Sequence, residues 1–209
     1  MADRIFESTE TLEAYREAGH WWRSLVGGID DHQWAQPGIG EWTVRELVAH
    51  GCRAFRTVPQ YLAMEVVDPT WLDSAAQYFR IVLAEETPHV HIAARARKEA
   101  AEEPDWVVAT DRFWAEADLA VSTRLGGALV RTFVGEMRLD QYLATRVVEL
   151  VVHGLDLGDA IGIPSPPPPP AAKVAIAVLM DLASPDDLGS IARLLTGRAG
   201  SLPLTNVLA

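Results

Sequence analysis

Cysteine is almost absent. Cys52 is the single one in 209 residues, which excludes an intrachain disulfide and any CxxC zinc or redox motif. A metal site, if there is one, must be built from His, Asp and Glu. Lysine is nearly missing too: only Lys98 and Lys173 occur, and the remaining basic residues are arginine. Positive charge is in deficit overall, with 18 basic against 29 acidic residues and a formal charge of −11. That balance disfavours electrostatic attachment to nucleic acid or to an anionic membrane. No apolar run reaches the roughly 20 residues that span a bilayer. Residues 1–10 hold three acids and no apolar core, so no signal-peptide pattern is visible. These absences point to a cytoplasmic protein. Strand–helix alternation and internal repeats are also missing, so a Rossmann or barrel reading fails.

What is present is helical patterning and ample apolar content, 49% of the chain. A chain of this size can bury a full core without a staple or structural metal. Leu12, Tyr15, Trp22, Leu25, Val26 and Ile29 recur at helical spacing and predict an amphipathic helix over about 10–28. Asp30 to Gly40 reads as a loop. Thr43 and Glu46 form a T-x-x-E capping box, with Trp42 placed to staple onto Leu47, and start a helix predicted to run to about 64. Asp68-Pro69 breaks the chain. Helices follow over about 73–86, 89–103 and 105–124, interrupted at Thr87-Pro88 and Pro104 and ended by Gly126-Gly127. Ala128 to Gly135 could be a short strand but reads rather as an extended connector. A strong helix covers 139–161, with Gly162 just past its end. Pro164 and Pro166 to Pro170 predict a stiff polyproline spacer, and two short helices, about 171–183 and 186–195, follow. The expected fold is all-α: a four-helix bundle over 1–163, a polyproline linker at 164–170 and a short helical extension over 171–209.

The helix over 139–161 is apolar except along a narrow stripe of Arg146, Glu149, His153 and Asp156. Glu149 and His153, at i and i+4, lie about 40° apart on one face, so a carboxylate and an imidazole could share one ion. Such pairs are also common on solvated helix surfaces; the narrowness of the stripe and the valines around it argue for a buried setting. His50 sits beside the apolar stripe Val44, Leu47, Val48, Phe55 and Val58. By itself it reads as a core or boundary histidine. With Glu149 and His153 it completes a His2Glu set, and three protein ligands with a free position describe a catalytic site better than a structural one. Asp156, one turn past His153, is either an acceptor for that ring's second N–H or simply solvated. His89 and His91 follow a helix break and read as exposed loop histidines. His20 and His32 have no partner in sequence. Cys52, about 200° round the helix from His50, reads as a small core residue, and Trp21, Trp22, Trp71, Trp106 and Trp114 as packing residues.

The stretch from Glu41 to His50 (EWTVRELVAH), preceded by Trp34 and Pro37, resembles the helix-2 motif of the DinB-like superfamily, especially the N-terminal domain of the mycothiol-dependent maleylpyruvate isomerase family. Residues 145–157 (TRVVELVVHGLDL) resemble that family's second motif, and Leu194 to Arg198 (LLTGR) its tail. The resemblance covers about 10–162. It implies a divalent metal, typically zinc, held by His50, Glu149 and His153. The isomerase itself carries a larger C-terminal α/β domain, whereas about 40 residues follow the proline run here, so the resemblance implies the metal site more directly than the isomerisation.

The expectation is therefore a metal-dependent enzyme that activates a mycothiol-like thiol and attacks an electrophilic small molecule, by isomerisation or S-transfer. Its partners would be a small-molecule substrate and the thiol. Oligomeric state is open, with a homodimer allowed. Arg146 or Arg198 is a candidate to hold a substrate carboxylate, and Arg146 and Asp156 are the candidate catalytic residues. Two alternatives stay open: a non-catalytic metal- or ligand-binding module, and a metal-dependent hydrolase in which the free position activates water.

Overall fold

The computed structural model describes residues 8–65, 70–84, 88–124 and 127–198, with side chains throughout these except at 88–93. The chain is mostly helical with one small sheet. In order the elements are α1 (Ser8–Gly27), α2 (Val44–Gly51), α3 (Arg53–Ala63), β1 (Trp71–Leu72), α4 (Ala75–Leu83), α5 (Pro88–Ala100), α6 (Trp106–Ser122), β2 (Leu129–Thr132), β3 (Gly135–Arg138), α7 (Leu139–Ile161), α8 (Pro169–Leu182) and α9 (Pro185–Leu195). Among the described residues no helix is long and apolar enough to cross a membrane.

α7 is the organising element. It packs against α1, α2, α3, α4 and α8, so few of its side chains reach solvent. Leu143, Val147, Leu150 and Leu157 are buried on it. It stops at Gly162, whose φ of 71° is the left-handed cap geometry glycine adopts without a Cβ clash. α1 lies between α7 and α6, and α3 packs on both α6 and α7. Tyr15, Trp22, Phe55 and Trp114 fill the space enclosed, with Trp114 edge-on to Phe55 at 5.3 Å between ring centroids.

Three sequence expectations are corrected. The helix expected over 44–64 is two helices meeting at Cys52, whose ψ of −12° departs from straight helical geometry. The first then reaches α5 and α7, while the second packs on α6. The segment read as a connector is a two-stranded hairpin, with Leu129 opposite Arg138 and Thr132 opposite Gly135; β3 also pairs in parallel with β1, giving the order β1-β3-β2. β3 (GEMR) offers one apolar residue, Met137, so no alternation announced it. Gly135, at φ 148°, backs onto the Thr70 carbonyl, where a Cβ would not fit. The proline run is shorter as a spacer than expected, because Pro169 and Pro170 open α8: their missing N–H groups fall in the first turn, where none is needed. The helical extension expected after the proline run begins with α8. It packs on α1, α4 and α7, and Ala171, Val174, Ala175 and Val178 are buried in the common core. The break expected at Asp68-Pro69, and Thr87 and Gly126, lie outside the described residues.

Candidate metal centre

Two helix faces build the site. α2 begins at Thr43, whose hydroxyl accepts the Glu46 N–H at 3.3 Å while the Glu46 carboxylate accepts the Thr43 N–H at 2.8 Å. Caps of this kind contribute about 0.5–2 kcal/mol. His50 stands two turns into this anchored helix and faces α7.

Two glycines seat the helices. Gly51, next to His50, receives the Trp22 ring, and Gly154, next to His153, receives the Trp21 ring; a Cβ at either would overlap the indole. Both tryptophans come from α1, so one helix fixes the depth of both histidine-bearing faces. Gly154→Ala should therefore destabilise the fold by about 1–3 kcal/mol, as overpacking does, and weaken metal binding by shifting His153. Gly189→Ala on α9, with open space around it, should be neutral or slightly stabilising. Denaturant titration and chelator competition measure both effects; equal behaviour of the two variants would refute the notch.

The structure brings His50, Glu149 and His153 together. One candidate ligand atom from each lies within 4.8 Å of the others. The Glu149 carboxylate oxygen is 3.7 Å from His50 Nε2 and 3.4 Å from His153 Nε2. Both separations are long for a good hydrogen bond. They approach the spacing of roughly 3.3–3.4 Å that donors about 2.0–2.1 Å from a tetrahedral ion take up. The His50 and His153 rings stand edge to face, 4.8 Å apart, and Trp42 covers them at 4.8 Å from His50 and 6.5 Å from His153. Trp42 was expected as a helix staple; its cover over both imidazoles had no sequence signal.

Electrostatics sharpen the picture. Burial lowers the His50 pKa and outweighs the pull of Glu149, so this ring is neutral at pH 7. Its Nδ1 is buried without a partner among the described residues. Burial also opposes charge on His153, but Asp156, whose carboxylate lies 3.1 Å from Nδ1, and Glu149 together push its pKa up to about 9. Burial acts to raise the Glu149 pKa, yet the facing His153 and His50 and the nearby Arg146 hold it well below the usual range. The carboxylate is thus ionised, and Asp156 directs Nε2 of His153 toward the cluster, as carboxylates behind metal-bound histidines do. Two imidazole nitrogens and one carboxylate, at this spacing and with a proton to give up, suit a divalent ion of the zinc class.

A family model described as mycothiol maleylpyruvate isomerase N-terminal domain matches residues 15–158. The chain belongs to this family. No curated protein and no solved structure matches it. The match to the mycothiol maleylpyruvate isomerase N-terminal domain family spans α1 to α7 and therefore both histidine-bearing helices.

The other sequence candidates fall elsewhere. Arg146 is buried one turn before Glu149. Arg198 is exposed just past α9, its backbone N–H donating to the Arg193 carbonyl. His20 rests against Trp114 and Arg23, and His32 is exposed. His89 and His91, expected in a loop, belong to α5, and their side chains lie outside the described residues. Cys52 is buried with its Sγ 3.2 Å from Thr110 Oγ1, and burial pushes its thiol up to about 11, which makes it unreactive.

Proposed function

We propose that this chain is a metal-dependent enzyme that activates a low-molecular-weight thiol, mycothiol in keeping with its family, and uses it to isomerise or to modify an electrophilic small molecule. The observation that carries the reading is the convergence of His50, Glu149 and His153 from two helices whose neighbouring positions, Leu47, Ala49, Leu150 and Val151, are buried and apolar. We read α1, the α2–α3 pair, α6 and α7 as the four-helix bundle on which this site is built, and zinc as the ion.

A bound divalent cation supplies a position at which a thiol loses its proton near neutral pH. The protein's part is positioning. His50 offers a lone pair without first shedding a proton. Asp156 sets the tautomer of His153, Glu149 lowers the net charge of the centre, and Trp42 keeps water from one side. Three protein ligands leave room for a further donor.

The test is a calorimetric titration of cobalt-substituted protein with mycothiol and with glutathione. Mycothiol should release heat and a proton, perturb the cobalt spectrum and bind more tightly than glutathione. Turnover of an electrophile should need both metal and thiol. Absence of heat, proton release and spectral change with either thiol would overturn the thiol reading and leave the binding-module or hydrolase alternative.

A further inference from the structure

Among the described residues α9 is the one helix that the body of the protein barely supports. α1 to α8 each pack closely on at least one other element, whereas α9 does not, and only Asp187 of its 11 residues is buried. Its ends are nevertheless finished. Ser184 Oγ accepts the Asp187 N–H at 3.2 Å, while the Asp187 carboxylate accepts the Ser184 N–H at 3.3 Å. Past the last turn Gly197 takes a φ of 67°, and the Arg198 N–H donates to the Arg193 carbonyl at 2.7 Å. Caps set the limits of a helix but do not hold one this short in water, where isolated helices below ~12–15 residues are marginal. Packing has to supply the rest.

The face that would pack is present and uncovered. At about 100° per residue, Leu188, Ile191, Ala192 and Leu195 fall within about 100° of arc. Ile191 is half-buried and the other three are exposed. Leu195, at 74%, is the most exposed large apolar side chain among the described residues. Two properties of this stripe select its partner. The first is its spacing, steps of three, one and three residues, which reads the same in both directions. An antiparallel copy therefore matches it, with Leu188 against Leu195 of the second copy and Ile191 against Ala192 of the second copy. A twofold axis needs this kind of self-complementary patch. The second is charge. Asp186 and Asp187 stand in the first turn, and Arg193 and Arg198 at the other end. Antiparallel pairing sets the acidic end of each helix beside the basic end of the other and opposes the two helix dipoles. Parallel pairing would bring like ends together. With two acids and one arginine, α9 also lacks the basic polar face of a helix that lies on a membrane.

We infer that α9 is the docking surface for a second copy of this chain, paired antiparallel across a twofold axis that passes between Ile191 and Ala192. Four side chains from each copy make a seam smaller than a standard interface, so the dimer is weak and concentration-dependent. The inference does not draw on the metal-enzyme reading.

The test is sedimentation velocity of the full chain over a range of concentrations. A reversible monomer–dimer equilibrium should appear, with a dissociation constant in the micromolar range. Leu195→Glu should raise that constant by about tenfold or more, because symmetry places the change in the seam twice. Leu119→Glu, at a position 66% exposed on α6, removes as large an apolar group from another face and should leave the equilibrium unchanged. Far-ultraviolet circular dichroism checks that each variant keeps its helices. Orientation is read by mild oxidation of cysteine variants, which the buried Cys52 does not disturb. An equal mixture of Leu188→Cys and Leu195→Cys should form a disulfide-linked dimer, and either variant alone should not. A chain that stays monomeric up to about 0.5 mM would overturn the inference, as would a dimer indifferent to Leu195→Glu. Linkage of each cysteine variant with itself but not with the other would overturn it too, because the helices would then run parallel.

Discussion

Glu149→Gln and Glu149→Ala are expected to abolish stoichiometric binding of a zinc-class ion while the helical far-ultraviolet signal persists. The carboxylate oxygen of Glu149 is the point common to both histidines, 3.7 Å from one and 3.4 Å from the other. Without it two neutral imidazoles must hold a doubly charged ion unaided. Loss of a partner that merely supports a ligand already costs about 10- to 100-fold, and Asp156→Asn should fall in that range. Loss of the only anionic ligand should exceed it. The fold should survive, because the core runs from Tyr15 and Trp22 through Phe55 and Trp114 to the buried face of α8 without needing the ion. Metal analysis of untagged protein gives the ratio, expected near one for the parent and near zero for both variants. A variant that still carries one ion would move the centre elsewhere. Complete unfolding of the parent by chelator would make the ion structural and weaken the catalytic reading.

The sequence made this cluster of side chains legible through two devices that depend only on neighbours. The i,i+4 spacing of Glu149 and His153 fixes their common face once α7 is a helix. The Thr43–Glu46 box fixes where α2 begins, and hence where His50 points. Both are local, and both appear as expected. What was hidden is tertiary. Nothing near Trp42 says that it will cover two imidazoles, and nothing in Trp21-Trp22 says that each ring needs a glycine from a different helix. Arg146 stood out as polar on an apolar helix, but the rings of Tyr78 and Tyr142 that it meets come from α4 and α7, far apart in the chain. The β2–β3 hairpin escaped because β3 is four residues with a single apolar one, and Glu136 is buried alongside Met137. The start of α8 was misplaced because Pro169 and Pro170 read as linker and not as a first turn.

Proton and metal should compete for the centre, and the competition gives opposite pH dependences to the metal-free and metal-loaded protein. In the metal-free protein the His153 pKa, about 9, lies above the value of 6.5 expected when the chain is unfolded. The folded state thus prefers the protonated ring. Its contribution is fully present below about pH 6.5 and is lost as the pH rises through about 9. His50 shifts the other way and acts below 6.5, and Glu149, held well down, acts lower still. Between pH 6.5 and 9 the trend belongs to His153, so the metal-free melting temperature should fall across that interval. Metal binding must expel the same proton, because Nε2 of His153 cannot ligate while protonated. Apparent affinity should therefore rise about tenfold per pH unit up to about 9 and then level off, standing at pH 7 about a hundredfold below its plateau. Near pH 7.5 close to one proton should be released per ion, read from calorimetry in buffers of different ionisation enthalpy. Asp156→Asn withdraws one of the two acidic groups that hold the proton, so its affinity profile should level off at lower pH even as its plateau drops. An affinity flat between pH 7 and 9, with no proton released, would show that His153 holds no proton for the metal to displace.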